Sequence, residues 1–158
     1  MNLDFERKEE INYSIIIPHK NSTVLLERCL KSIPCRKDVQ VIVVDDNSEN
    51  QEELNAVVGG FSQVELILTQ GGGAGHARNE GLKYIRGKWV LFADADDFYN
   101  KNAFSILDNY INSDNDVIYF FANSLDVNTL LPTPREKDLQ NIYEKYDSDN
   151  IRSADYIR

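Results

Sequence analysis

The sequence predicts an α/β domain on a largely parallel, buried sheet, and three observations carry that expectation. Five short β-branched or aromatic runs, YSIIIP, VQVIVV, VELILT, KWVLFA and DVIYFF, alternate with stretches of helical periodicity. The chain has 158 residues, 42% of them hydrophobic, which is enough for one core without disulfide or metal staples. Polar clusters follow directly on three of the runs: PHKN at 18–21, DDNS at 45–48 and DADD at 94–97. In an open α/β sheet, ligands bind outside the carboxyl ends of the strands, where strand order reverses. Three polar clusters at three such ends are harder to explain as solvated turns than one.

Taken in order, residues 1–11 form a charged extension, and YSIIIP is the first strand. A helix over 23–33 follows, stopped before Pro34, with Leu26, Cys29, Leu30 and Ile33 on one stripe, so that Cys29 belongs to the core. After VQVIVV, the segment SENQEELNAVV predicts a short helix in which Ser48 and Gln51 have capping-box spacing. VELILT leads to AGHARNEGLKYIRG, a helix expected to close on Gly87 as the residue just past its end. KWVLFA precedes NKNAFSILDNYIN, whose Phe104, Leu107 and Ile111 share one face. Beyond residue 123 the pattern weakens into a loop with two prolines and a polar helical tail.

A net charge of −9, without a dense run of Lys or Arg, makes nucleic acid a poor partner. An anionic ligand fits only where a metal, a helix N-terminus or a placed Arg locally reverses the field. Cys29 and Cys35 match neither a C-x-x-C redox pair nor a zinc framework, which points to a reducing, cytoplasmic setting. The charged start is no signal peptide, and no run reaches the roughly 18 apolar residues of a membrane span.

The second strand delivers Asp45 and Asp46 to the crevice. A turn or N-cap explains Asn47 and Ser48 without a ligand, but not the doubled Asp. A carboxylate there can accept from a base N–H or a ribose hydroxyl pair. Glycines 71, 72, 73 and 75 then precede a helix with His76 and Arg78 in its first turns. Free helix amides and an Arg fork are the means by which a negative protein holds phosphate. Asp94, Asp96 and Asp97 repel one another, since two such charges at ~4 Å cost about 1 kcal/mol in bulk water and about 4 kcal/mol near a protein surface. Clustered carboxylates without His or Cys suit Mg²⁺ or Mn²⁺ shared with substrate phosphates and disfavour zinc.

SIIIPHKN, LERCLKSI, VIVVDDNSEN, GGGAGHARNEGL and GKWVLFADADDFY, with the helix after them, resemble in order and spacing the nucleotide-binding half of family 2 glycosyltransferases of the GT-A fold, over residues 12–125. The resemblance implies a Rossmann-like, mostly parallel sheet flanked by helices. It also implies sugar transfer from a nucleotide diphosphate donor, usually with inversion and with Mn²⁺ or Mg²⁺, to a saccharide or lipid-linked acceptor. By position, Pro18, His19, Lys20 and Asn21 line the base pocket, and Asp46, beside Asp45, meets the base or ribose. Gly72 and Arg78 lie near the nucleotide, Asp94 helps through the ribose or a metal-bound water, and Asp96 and Asp97 are the metal ligands. Lys20 stands where many members carry an aromatic residue; its methylene stem covers a ring less well, and uridine is the default base.

The resemblance covers the donor half. Residues 126–158 correspond to the start of an incomplete acceptor region, and none of Asp147, Asp149 and Asp155 sits in a context matching the catalytic base. The catalytic residue is therefore unassigned, and the expectation is donor binding with poor transfer. Two other readings stay open: a non-catalytic nucleotide-binding module of the same fold, and a phosphoacceptor receiver domain. Receivers place their acidic pair after the first strand and a Lys at a later strand end, and this chain does neither.

Overall fold

The first four apolar runs become four parallel strands: β1 (Tyr13–His19), β2 (Val39–Asp45), β3 (Val64–Leu68) and β4 (Trp89–Phe92). A computed structural model describes residues 10–118. Described residues up to Ser113 belong to one compact unit, and a second begins at Asp114. The fifth predicted run is in no strand over its described residues 116–118, and its remainder lies outside the described residues. So do the polar tail, with Asp147, Asp149 and Asp155, and most of the charged extension.

Sheet order is β3-β2-β1-β4, so the chain winds outward one way from β1 and then jumps back to β1's other side. That reversal makes the carboxyl ends of β1 and β4 the switch point where a crevice opens. Pro18 fixes where it opens. Trp89 N–H donates to Asn12 O and Ala93 N–H to Ile16 O, so the even-numbered residues of β1 face β4. Residue 18 comes next on that side, and proline has no N–H to give. The β1–β4 ladder ends at Ile16–Phe92, whereas β1–β2 runs on to His19–Asp45.

Both sheet faces are covered, which is why the strands are continuous apolar runs. On one face Ile15, Ile17, Val41 and Val43 pack against Leu26, Cys29 and Leu30 of helix α1 (Thr23–Ser32) and Leu54 of α2 (Gln51–Val58). Phe104 and Leu107 of α4 (Ala103–Leu107) join them. The predicted stripe of α1 is the buried one, and burial pushes the Cys29 thiol up to about 12, ahead of the nearby Asp97 charge, so the thiol is inert core. On the other face Ile16, Ile42 and Val44 meet Ala77 of α3 (Gly73–Gly81). A Cβ on Gly81 would lie 2.6 Å from Ile16 Cγ2, so a glycine is what lets α3 sit this close.

Two expected helix boundaries are corrected. The N-cap of α2 is Asn50, not Ser48: Asn50 Oδ1 accepts from Glu53 N–H at 3.1 Å, and Asn50 Nδ2 donates back to Glu53 Oε2 at 3.0 Å. Ser48 and Gln51 have buried partners instead, described below. Gly87 does not cap α3, which passes into a 3₁₀ turn over Leu82–Tyr84. Its role is close approach, because a Cβ there would lie 2.5 Å from the Ser14 backbone nitrogen. Likewise α4 is short and continues as a 3₁₀ turn over Asp108–Tyr110, with Phe104, Leu107 and Ile111 still turned to the core.

Candidate functional site

The carboxyl ends of β1, β2 and β4 bring PHKN, DDNS and DADD to one edge of the sheet, and α3 begins beside them. The two asparagines of the first two turns both adopt left-handed backbone, Asn21 at φ 50° and Asn47 at φ 63°. Asn and Asp tolerate that region better than other non-glycine residues. Asn21 and Asn47 reverse the chain so that the loops after β1 and β2 meet.

Adjacent aspartates take different roles. Asp45 is fully buried. Its Oδ1 accepts from His19 Nδ1 at 2.9 Å and from the Ser48 hydroxyl; its Oδ2 accepts from Ser48 N–H at 2.9 Å and Gln51 Nε2 at 2.8 Å. Burial pushes its pKa up, but these donors, Ser48 first, more than reverse that and hold it below its ordinary value. With four donors on two oxygens, Asp45 has no capacity left for a ligand. This corrects the expectation that both carboxylates serve the crevice: Asp45 is internal.

Asp46 is nearly buried, at 5% exposure, and has different partners. Its carboxylate accepts the Gly73 N–H at 2.9 and 3.1 Å, and Lys20 Nζ stands 3.6 Å from Oδ2. Asp46 thereby ties the β2 end to the first turn of α3. Gly71, Gly72 and Gly73 have φ of 100°, 138° and 84°, and a Cβ on Gly72 would strike the His76 ring at 2.7 Å. Only glycine fits that approach. The His76 ring itself is half-exposed, 3.7 Å from Glu80.

His19, expected to line a base pocket, is 2% exposed and both ring nitrogens are taken by protein. Ser22 N–H donates to Nε2 at 3.1 Å, so Nδ1 carries the ring proton and donates to Asp45. His19, Asn21, Ser48 and Glu49 border a shallow cavity of about 240 Å³ between the two loops. That cavity includes neither Asp46 nor any residue of 94–97.

The acidic run alternates. Ala93 and Ala95 turn into the core at 7% and 8% exposure, while Asp94 and Asp96 turn outward. This alternation is the physical content of the DADD spacing. Asp97 N–H donates to Asp94 O at 2.9 Å, closing a tight turn. Partial desolvation first, then the Asp94 and Asp96 charges, raise the Asp97 pKa against the opposing Asp94 amide and Arg28. Arg78 pairs with Asp94, joining α3 to the end of β4. Among the described residues, no three His, Cys, Asp or Glu side chains are grouped to hold a metal ion. Mg²⁺ in phosphate-handling sites takes only one or two carboxylates, plus water and substrate oxygens. The outward Asp96 and Asp97 oxygens fit that kind of site rather than a closed cage, which the described residues do not form.

Two residues that the sequence did not single out hold this loop. Arg28, on α1, donates through Nη2 to Asp96 O and lies 5.3 Å over the Phe98 ring. One turn on, Ser32 Oγ accepts from Tyr99 N–H at 2.9 Å. Their spacing of four on the helix is the one local signal, and it does not name a loop 68 residues away.

The sequence profile described as "Glycosyl transferase family 2" matches residues 14–156. A poly(ribitol-phosphate) beta-glucosyltransferase of Bacillus spizizenii is 34% identical over 98 residues, 57% of this chain and 16% of that protein. The Staphylococcus aureus poly(ribitol-phosphate) beta-N-acetylglucosaminyltransferase TarS is 38% identical over 106 residues, 59% of this chain and 18% of its own length. The crystal structure of TarS residues 1–349 superposes with a TM-score of 0.57 and 28% identity, over 64% of this chain and 32% of that one. The chain thus spans less than a fifth of the length of those two relatives.

Proposed function

Because the chain belongs to glycosyl transferase family 2, we propose that it forms the donor-binding face of an enzyme that moves a sugar from a nucleoside diphosphate, UDP by default, to a saccharide or polyol-phosphate acceptor. One observation supports this: Arg78 of α3 pairs with Asp94 at the end of β4, beside the exposed Asp96 and Asp97, at the carboxyl end of the sheet where strand order reverses. The acceptor class follows the printed names of the two poly(ribitol-phosphate) relatives. The pairing of acidic edge and Arg-bearing helix suits a diphosphate better than nucleic acid, given the net charge of −9.

In this reading Asp46 accepts from the base or ribose, and the Lys20 stem covers the ring face. Arg78 turns from Asp94 to the diphosphate, helped by the amides opening α3. Asp96 and Asp97 would hold Mn²⁺ or Mg²⁺, which supplies neutralisation of the charge developing on the departing diphosphate. Displacement at the anomeric carbon inverts it. The base that takes the acceptor proton is left unassigned among the described residues.

Calorimetry with UDP, with and without Mn²⁺, and release of UDP from a panel of UDP-sugars test this. Binding should tighten with Mn²⁺ and weaken with a chelator. Asp96→Asn should abolish that metal dependence without lowering Tm, and Asp46→Asn should weaken UDP at constant Mn²⁺. Binding indifferent to chelator would remove the metal from the reading. Binding of UDP without release from any donor would leave a nucleotide-binding module.

A further inference from the structure

The loops after β1 and β2 are closed into one ring of hydrogen bonds, in which the two ring nitrogens of His19 reach from the Ser22 N–H to the Asp45 carboxylate. From one side, Asn21 N–H donates to Ser48 Oγ at 2.8 Å, and the Ser48 hydroxyl donates to Asp45 Oδ1. From the other, Ser22 N–H donates to His19 Nε2 at 3.1 Å, and His19 Nδ1–H donates to the same Oδ1 at 2.9 Å. Two bonds from backbone N–H groups complete it: Glu49 N–H to the Asn21 side-chain Oδ1 at 2.9 Å and Asp46 N–H to His19 O at 2.8 Å. Every polar atom of the imidazole is used, and the ring is buried. Such a satisfied polar network in a low-dielectric interior is rigid, and losing one partner leaves the next unpaired. The network also holds two left-handed asparagines, a conformation that persists only where surroundings enforce it.

We propose that His19 is a positioning residue for nucleotide recognition: its two ring nitrogens lock the loop after β1 to the loop after β2 and so set where Asn21 and Asp46 stand. It touches no ligand. Its effect passes through Ser22 and Asn21 on one side and through Asp45, next to Asp46, on the other. This rests on the reading that a nucleoside diphosphate binds against these loops, but the locking itself does not require a ligand.

Two substitutions separate the ring's two bonds. In His19→Asn the side-chain amide occupies the position of Nδ1 and keeps the donor to Asp45, but nothing accepts from Ser22. In His19→Gln the longer side chain carries an acceptor to the position of Nε2 and loses the Asp45 donor. The measurements, on the whole 158-residue chain, are amide hydrogen exchange at Asn21, Ser22 and Asp46, affinity for UDP with Mn²⁺, and Tm. For His19→Asn, exchange at Asn21 and Ser22 should rise about tenfold and UDP affinity fall about tenfold, the scale of one lost hydrogen bond, with Tm nearly held. His19→Gln should restore protection at Ser22 while exchange at Asp46 rises. Wild-type exchange at Asn21 and Ser22 in His19→Asn would overturn the proposal. So would a rise spread evenly over all amides in proportion to lost Tm, because that is a merely structural role. If the wild-type chain fails to bind UDP at all, the nucleotide reading falls, and the exchange pattern still decides whether His19 locks the loops.

Discussion

The β1–β2 ladder carries a polar cross-strand pair at each end, and the two ends behave differently. At the amino end Ser14 sits opposite Gln40, and at the carboxyl end His19 sits opposite Asp45, with Ile15 to Pro18 facing Val41 to Val44 between them. Both pairs are buried. Residues 14 and 19 differ by an odd step, so the pairs lie on opposite sheet faces. The Ser14–Gln40 pair is neutral and serves a connection. Ser14 Oγ donates to Gln40 Oε1 at 2.7 Å and accepts from Gly87 N–H at 2.8 Å, while Gln40 Nε2 donates to Tyr84 O at 2.9 Å. Together they fasten the return from α3 into β4. The His19–Asp45 pair contains a carboxylate and fastens two loops bordering the crevice. A neutral pair suffices to close a turn, whereas a charged acceptor gathers four donors and fixes loop positions tightly enough for recognition.

The largest effect expected along this comparison is at the charged end. Asp45→Ala leaves four donors in the interior without their acceptor, and bonds to a charged group are worth ~1.5–3 kcal/mol each, so the loss should be about 4 kcal/mol after relaxation. Thermal melting should fall by about 15 °C or more. The charge has a pH signature. Because the folded pKa of Asp45 is depressed, its contribution is present above the unfolded value of about 3.9 and is lost as pH falls through the folded pKa. The stability gap between wild type and Asp45→Asn should therefore be full at neutral pH and close below about pH 4. A gap independent of pH would mean that the charge is not what distinguishes the two ends.

Next comes Ser14→Ala, which strips the acceptor from Gly87 N–H and should cost about 1–3 kcal/mol. Its use is in what stays constant: UDP affinity should equal wild type. A loss of affinity matching that of His19→Asn would collapse the comparison, since the amino end would then also set the crevice.

Asp97→Asn should go the other way. Its folded pKa is raised, so the protonated form is favoured on folding and the ionised form disfavours the fold at neutral pH. Without a divalent ion, the substitution should stabilise the fold by under about 1 kcal/mol, read as a slightly higher Tm. A lower Tm would make Asp97 structural. Smallest is Lys20→Met, which removes the exposed ammonium 3.6 Å from the nearly buried Asp46 carboxylate and should cost about 0–1 kcal/mol, measured by chemical denaturation. A larger cost would show that Lys20 holds Asp46 in place as His19 holds its neighbours.

Much of this was legible along the chain. The strand runs, the buried stripe of α1 and the three polar clusters at strand ends follow from periodicity, because burial on both faces demands apolar runs and solvent at their ends permits polar ones. Pro18 was expected in the base pocket, and its effect on the sheet depends on which neighbour its missing N–H would have met: the β1–β4 ladder stops before it while the β1–β2 ladder runs through it. The capping box at Ser48 and Gln51 misled for a physical reason. Asn50 and Glu53 make reciprocal bonds two residues further on, which frees Ser48 and Gln51 for Asp45.

By itself the sequence determined the family, the parallel α/β layout and the edge of the sheet where chemistry is possible, because these depend on composition and spacing within each element. Only the tertiary structure decided which partners each carboxylate has. Asp45 and Asp46 are identical side chains one residue apart, and their difference comes from the β1–β2 register, which sets His19 against Asp45 from 26 residues away. The same holds for Arg28, whose reach to the Asp96 carbonyl exists only once α1 is packed beneath the end of β4. A carboxylate's role is set by the donors that surround it, and those donors come from segments that only folding brings together.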